Sequence, residues 1–330
     1  MSQQLLAKSV APSTHTNYHS ACSNFLRFCA SHNLPPFPPK EDTLILYVTQ
    51  LSTYSSHSNI KMHLAAIRHY TIRRHLISPI PTFQRLYLLI KGIKRTHGSK
   101  FRRRKRDPIT PPALLTIKNH LLNSEHDYFD KLMLWAALLT AFFGFLRVSE
   151  YTSSTKHKYD PSSTLLSSDL SLTPTSASLH IKSSKTDPFR TGVTLRIAAN
   201  DSPLCPISAL SAYSQSRNHA PGPLFQFRNG SFLTRRDINK LLNTASQGSL
   251  HLSSHSLRIG AASSAAAMGC PEWLIQCMGR WSSDCYKDYL RVSSSMIEKT
   301  SRHIAKCNIT PPTFVPSYRS CPPRKRTFLQ

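Results

Sequence analysis

Hydrophobic residues recur at helical spacing through the first 96 residues of the chain. Segment 13–34 carries one apolar face, and the proline cluster LPPFPPK at 34–40 ends it. That face consists of Tyr18, Cys22, Phe25, Phe28 and Cys29. Similar patterns predict helices at about 41–51, 55–76 and 81–94, with no strand pattern between them. We therefore expect a compact helical domain whose basic faces can lie along phosphates.

The pattern changes beyond residue 110. Helices are predicted at 111–121 and 128–145, and the second is almost wholly apolar, as expected of a buried core helix. The stretch SLHIKSSKTDPFRTGVTLRI then predicts two strands joined by a hairpin at about 185–192. Helical patterns resume at 205–217, 233–246, 255–268, 271–281 and 283–292. The second region is thus mainly helical with a small sheet.

The charge balance points to a polyanionic partner. Lys and Arg number 42 against 16 Asp and Glu, a net charge of +26 over 330 residues, a length that suggests two domains. Nucleic acid is the leading candidate. An anionic membrane surface is the alternative, but the chain has no run of ~18 apolar residues and no dominant basic amphipathic anchor. We expect neither a membrane nor a small molecule as partner.

Two basic runs, KRTHGSKFRRRKRDPITPP and PPRKRTF, read as unstructured segments. The first would join the two domains, where it could follow a DNA backbone or act as a nuclear import signal, and the second is another candidate signal. The N-terminus lacks the apolar core of a signal peptide, so we expect an intracellular protein with reduced cysteines. None of the eight cysteines forms a CxxC pair, which favours neither a zinc site nor a disulfide framework.

Three segments carry residues suited to phosphoryl transfer: GFLRVSE, HSLRIGAASSAAAMG and MGRWSSDCYKDYLR. Arg147 and Arg258 can grip the charge of a phosphodiester through planar, bidentate donors. His255 precedes Arg258 by three residues, so both side chains share one helical face. An imidazole there can hydrogen-bond the phosphate or help to move the nucleophile's proton. The phenol of Tyr289 can attack phosphorus, given nearby cations to activate it.

Each of these residues also has a purely structural interpretation. Arg147 could cap carbonyls or pair with Glu150, His255 could be a satisfied core histidine, and Tyr289 could pack like its neighbour Tyr286. Taken singly, the structural interpretation is favoured for each. Their joint occurrence in this order favours a catalytic site.

Four segments resemble the motifs of the tyrosine recombinases, the phage-integrase family: GFLRVSE, SKTDPFRTG, HSLR and GRWSSDCYKDY. The resemblance covers nearly the whole chain. The wording is most similar to DIRS-like or Crypton-like recombinases of eukaryotic mobile elements. The resemblance implies a helical core-binding domain at 1–96, a basic linker at 97–110 and a mixed α+β catalytic domain at 111–305, followed by an irregular basic tail at 306–330. The overall class would be mainly α with a small β-sheet.

By this resemblance, Arg147 and the HxxR pair of His255 and Arg258 bind the scissile phosphate, and Tyr289 is the nucleophile. Lys185 on the hairpin would be the general acid that protonates the departing 5′ oxygen. Lys182 is the alternative candidate for this role, but Lys185 lies nearer the turn and within the matching segment SKTDPFRTG.

One position departs from the family pattern. The family has His or Trp nine residues before the nucleophile, directly after a glycine, where this chain has Arg280, with Trp281 one place later. Either Arg280 supplies the hydrogen-bond donor or Trp281 takes that place.

The implied reaction is DNA strand exchange through a 3′-phosphotyrosyl intermediate, as in integration of a mobile element, by four protomers on two duplexes. The motifs lack the acidic cluster that holds metal ions for phosphoryl transfer, and no cofactor is expected. The basic runs and the resemblance together predict a nuclear protein. Two alternatives remain at this point: a non-catalytic DNA-binding protein domesticated from a recombinase, and a type IB topoisomerase that relaxes supercoils by the same chemistry.

Overall fold

The computed structural model describes residues 6, 9–97, 104–184, 187, 189–217, 221–290, 297–298 and 301–302. They belong to two compact units that divide between residues 103 and 104. Three of the sequence predictions lie outside the described residues. These are the role of Lys185, the centre of the first basic run at 98–103, and the tail at 306–330 with its PPRKRTF segment.

Four helices account for most of the first unit. They are α1 (Pro12–Ser31), α2 (Glu41–Ser52), α3 (His57–Arg73) and α4 (Gln84–His97). α1 begins with proline at its first turn, where no amide hydrogen is needed, and Ser56 caps α3 by accepting from the Asn59 amide at 3.3 Å. α1 packs against α3 and α2 against α4. All four predicted helices of this region are present.

The apolar stripes of these helices meet in one core. Its most deeply buried members include Phe25, Leu44, Val48, Ile60, Ile67 and Leu86. One polar pair lies inside it, since the Tyr47 hydroxyl is 2.7 Å from Nδ1 of His63. The basic side chains stay outside this core, so the unit buries its apolar residues and leaves its cations at the surface.

The second unit combines a helical framework with one sheet. Its helices are α5 (Pro111–Leu122), α6 (Tyr128–Phe143), α7 (Val148–Tyr151), α8 (Pro206–Arg217), α9 (Arg235–Ser246), α10 (Ser254–Ala267) and α11 (Glu272–Gly279). α6 is the buried helix that its apolar sequence predicts, and it packs against α8 and α10. No helix of the described residues is long and apolar enough to cross a membrane.

The sheet is antiparallel, in the order β1 (Leu170–Leu172), β2 (Ser176–Ile181) and β3 (Val193–Ala198). β2 and β3 are the predicted hairpin, with Leu179 opposite Leu195. β1 was not predicted, because three residues are too few to display a period of two. A mainly helical fold with a small sheet confirms the predicted fold class.

Residues 104–110, which the sequence analysis places in the linker, belong to the second unit in the structure. Ile109 is fully buried, and its amide donates to the Ser256 carbonyl at 3.0 Å. The amide of Asp107 donates to the His251 carbonyl at 3.2 Å. A single apolar residue between prolines and charges carries no periodic signal, although burying it holds this segment against the second unit.

Candidate active site

The GFLR segment turns sharply between α6 and α7. Phe145 has a φ of 49°, a left-handed conformation that is uncommon outside glycine. This turn presents the Phe145 carbonyl to two arginines, since Arg258 Nη1 donates to it and Arg280 Nη2 donates at 3.2 Å. Arg147 follows directly before α7. The strained backbone thus brings an acceptor and a cation to one place.

Glu150 joins two of the arginines. Its side chain is 1% exposed, and its carboxylate accepts from the amide of Arg147 at 2.8 Å and from Nη1 of Arg147 at 3.1 Å. The same carboxylate accepts from Arg280 Nη2 at 2.8 Å. The structural interpretation of Arg147, a pair with Glu150, is therefore realised, and that pair is itself part of a larger cluster.

Arg258 lies on α10 and is 1% exposed. Besides its bond to Phe145, it donates through Nη2 to the carbonyl of Gly279, and its guanidinium carbon lies 4.4 Å from the centre of the Trp281 ring. Burial, reinforced by the charge of Arg147, lowers the pKa of Arg258 to about 10, which leaves it protonated at neutral pH. A lysine could not make this set of contacts.

α11 ends at Gly279, and the two residues that follow send their side chains in different directions. Arg280 has a φ of 54°, so its guanidinium reaches Glu150 while the Trp281 ring folds back over Gly279. A Cβ built on Gly279 would lie 1.6 Å from the Trp281 ring. Only glycine leaves room for that ring, which packs against both Arg258 and Tyr289.

Tyr289 follows a 3₁₀ turn, Asp284–Asp288, and is tied to α10 by the hydroxyl of Ser263, which donates to the Tyr289 carbonyl at 3.1 Å. Its ring centre lies 5.0 Å from that of His255 and 5.0 Å from that of Trp281. The Arg258 guanidinium carbon is 5.9 Å from the Tyr289 ring. The phenol therefore stands between an imidazole and a buried cation.

Tyr286 has a different environment from Tyr289. Its hydroxyl donates to Glu272 on α11, and that hydrogen bond raises the pKa of Tyr286 to about 12. The sequence pattern predicts an α-helix at 283–292. The structure instead has a 3₁₀ turn at Asp284–Asp288, and the hydroxyl bonds to the neighbouring helix because Glu272 offers an acceptor there.

The cluster contains more cationic donors than acceptors. The carboxylate of Glu150 pairs with the guanidiniums of Arg147 and Arg280, and the buried Arg258 adds a third cation that donates only to backbone carbonyls among the described residues. Within the described residues, several buried N–H groups of the cluster have no hydrogen-bond partner, namely Arg258 Nε, Arg280 Nε, Arg280 Nη1 and Trp281 Nε1. Buried donors of this kind call for an acceptor, and an anion supplies one.

Comparison with solved structures gives the same architecture. A Tn1549 transposon integrase in complex with transposon right end DNA matches with a TM-score of 0.58 and 13% identity, over 92% of this chain and 98% of that chain. A lambda integrase dimer bound to a COC′ core site matches with a TM-score of 0.57 and 16% identity, over 88% and 92% of the two chains. The chain has the tyrosine-recombinase fold.

The XerH site-specific recombinase bound to difH substrate, a pre-cleavage complex, matches this recombinase fold with a TM-score of 0.56 and 14% identity, over 87% of this chain and 78% of that chain. No protein-family model and no curated protein matches the sequence. At these identities the likeness establishes the fold, and the chemistry has to be argued from the chain's own residues.

On this recombinase fold, the structure brings six of the predicted site residues together: Arg147, His255, Arg258, Arg280, Trp281 and Tyr289. The seventh, Lys185, lies outside the described residues. Its rival Lys182 is engaged elsewhere, in an ion pair with Asp169 at 2.8 Å and a hydrogen bond to the Pro161 carbonyl at 3.0 Å.

Sequence reasoning missed two further arginines. Burial first, and then the charges of Arg106, Arg258, Arg235 and Arg147, lower the pKa of His255 to about 4. Arg106 comes from the 104–110 segment and Arg235 from the start of α9. The basic run was itself a signal for Arg106, but nothing in the sequence showed where that run would lie. Among the described residues, no group of His, Cys, Asp and Glu could hold a metal ion.

Proposed function

We propose that this protein is a tyrosine recombinase that breaks and rejoins DNA strands through Tyr289. The observation that carries the proposal is the cluster of buried N–H donors on Arg258, Arg280 and Trp281 that lack partners among the described residues and lie beside this tyrosine. A phosphodiester under attack carries charge on its non-bridging oxygens, and fixed cationic donors stabilise that charge.

In the proposed reaction the Tyr289 oxygen attacks the scissile phosphorus and forms a 3′-phosphotyrosyl bond, while the bond from phosphorus to the 5′ oxygen breaks. Arg147 and Arg258 hold the non-bridging oxygens, and Lys185 protonates the departing 5′ oxygen. The freed 5′ hydroxyl of a partner strand then attacks the phosphotyrosyl bond and releases Tyr289. Each step exchanges one phosphoester for another, so strand joining draws on the bond energy kept in the intermediate.

In the proposed reaction His255 hydrogen-bonds the phosphate or helps to move the proton that Tyr289 loses. Its pKa of about 4 keeps the imidazole neutral at pH 7, and its ring is adjacent to the Tyr289 ring. A neutral imidazole can accept a proton, whereas an imidazolium cannot. Arg280 and Trp281 have separate supporting roles. Arg280 links Glu150 to the end of α11, and Trp281 packs beneath Arg258 and Tyr289.

The biological setting is also part of the proposal. The solved structures with this fold include a transposon integrase, lambda integrase and XerH, each in complex with DNA. We propose that double-stranded DNA is the substrate here, that the reaction mobilises or integrates a genetic element, that four protomers act on two duplexes, and that it takes place in the nucleus. The net charge of +26 favours DNA as the partner.

A nicked suicide substrate tests the chemistry directly. With a duplex that carries the flanking repeats of the encoding element, the wild-type protein should form a covalent protein–DNA adduct that resists denaturation. Tyr289→Phe removes only the attacking oxygen, so adduct should fall at least ~10³-fold with DNA binding nearly unchanged. Tyr286→Phe is the matched control and should retain adduct formation.

Three results would change the assignment. Adduct formation by Tyr289→Phe would show that another group is the nucleophile. Tight binding by wild-type protein without any adduct would indicate a DNA-binding protein that has lost catalysis. Relaxation of supercoiled plasmid without recombinant products would indicate a topoisomerase.

A further inference from the structure

The segment before α5 is clamped onto the helix that carries His255 and Arg258. The amide of His251 donates to the Asp107 carboxylate at 2.7 Å, and the amide of Asp107 returns a bond to the His251 carbonyl at 3.2 Å. Two residues later, the Ile109 amide donates to the Ser256 carbonyl at 3.0 Å. Residues 107–109, the 107–109 clamp, are therefore held at both ends.

Gly260 shows how closely this clamp approaches α10. A Cβ built on Gly260 would lie 1.8 Å from the Ile109 carbonyl oxygen and 2.6 Å from its carbon. The two backbones touch at a position where any side chain would separate them. Because Ile109 is also fully buried, the clamp fixes the path of the chain directly beside the catalytic helix.

Arg106 is the residue next to the clamp, and it is half-buried. Its charge lowers the pKa of His255 more than the charge of Arg258 does, although Arg258 lies one turn away on the same helix. Arg106 directly precedes Asp107, whose amide donates to the His251 carbonyl at 3.2 Å, so the chain at Arg106 lies beside the start of the helix that carries His255. Within the described residues Arg106 makes no hydrogen bond or ion pair, and the neighbouring Asp107 pairs with Arg104 at 3.7 Å and accepts from the His251 amide.

We propose that Arg106 binds the DNA phosphate next to the scissile one and acts as a positioning residue for His255. The proposal rests on the proposed function of this site. Phosphates follow one another by ~3.4 Å of axial rise along a strand, so a cation beside the catalytic group meets the neighbouring phosphate of the same strand. The 107–109 clamp would hold this contact in register with the catalytic helix.

A second consequence concerns the protonation of His255. The charged and titratable groups around it are Arg258 on its own helix, Arg106 before the clamp, Arg235 on α9, Arg147 before α7 and the phenol of Tyr289. Removing one cation raises the pKa of His255. A base must be neutral to act, so cleavage falls as pH drops through that pKa. Loss of Arg106 should therefore move the acid limb of the pH profile to higher pH.

Three variants of the full chain separate these effects. Arg106→Gln should slow adduct formation about threefold at pH 8 and more at pH 5, and should reduce the slope of log affinity against log salt by about one. Arg106→Lys should restore most of the salt slope and keep the acid limb where the wild type has it. Lys105→Gln removes one charge from the adjacent exposed position, and should leave the pH profile unchanged.

The inference is overturned if Arg106→Gln keeps both the wild-type pH profile and the wild-type salt slope, or if Lys105→Gln shifts the acid limb equally. Failure of the proposed function would look different, since the wild-type protein would then form no adduct at any pH. In that case the salt slope alone still decides whether Arg106 contacts a phosphate.

Discussion

Two buried polar groups, one in each unit, contrast in how their hydrogen bonds are satisfied. In the first unit Tyr47 and His63 are almost fully buried and bond to each other at 2.7 Å. Burial raises the pKa of Tyr47 and lowers that of His63, so both stay neutral. Neutral partners that satisfy each other stabilise a core at little cost, and nothing about the pair asks for a ligand.

The arginine cluster of the second unit is arranged in the opposite way. Glu150 pairs with Arg147 and Arg280, and buried donors on Arg258 and Arg280 lack partners among the described residues. Such a cluster costs stability in the free protein, which an anionic ligand would return on binding. The contrast shows that buried cations with unpartnered donors, rather than buried polar groups in general, distinguish the candidate active site.

The strongest test of this contrast is Arg258→Lys. A lysine keeps the charge but loses the planar donors that reach Phe145 and Gly279 and the stacking on Trp281. We expect adduct formation to slow by ~10²–10³-fold, with DNA affinity within about threefold of wild type. Arg236→Lys, at an exposed position on α9, is the control and should match the wild type. Equal losses in binding and cleavage would show that Arg258 only holds DNA.

Gly279→Ala tests whether the packing beneath the cluster matters. The new methyl would lie 1.6 Å from the Trp281 ring, which would have to leave its place between Arg258 and Tyr289. We expect ~10–100-fold slower adduct formation and a loss of ~1–3 kcal/mol in the free energy of unfolding. Gly92→Ala, with nothing within 4 Å, should be tolerated or stabilise α4 by up to ~1 kcal/mol. A wild-type rate of adduct formation for Gly279→Ala would show that the position of the Trp281 ring does not matter for the reaction.

Tyr47→Phe has the smallest expected effect, and it falls on stability alone. It leaves Nδ1 of His63 buried without its partner, which should lower the free energy of unfolding by ~1–3 kcal/mol in urea titrations. Adduct formation at saturating DNA should be unchanged, because the pair takes no part in the chemistry. A slower rate under those conditions would mean that the first unit contributes more than a scaffold.

Much of the fold could be predicted because helical periodicity is a local property. The stripe through Phe25 and Ile60 and the apolar run of α6 each predict a helix, and the proline and glycine between β2 and β3 predict a hairpin. The shorter elements escaped this reasoning. β1 has three residues, and Asp284–Asp288 forms a 3₁₀ turn where the sequence pattern suggested an α-helix. The conformation of such short elements depends more on their tertiary contacts than on local secondary-structure propensity.

The sequence by itself determined which chemical groups are available. It has two arginines and a histidine in short motifs, a tyrosine ten residues after a glycine, and a large excess of cations. Only the tertiary structure decided which neighbours these residues have. The left-handed backbone at Arg280 sends its side chain to Glu150 and leaves Trp281 beside Tyr289. Gly260 leaves room for the backbone of Ile109, which brings residues 107–109 against the helix that carries His255. These outcomes depend on contacts between residues distant in the chain, which packing selects and local propensity does not encode.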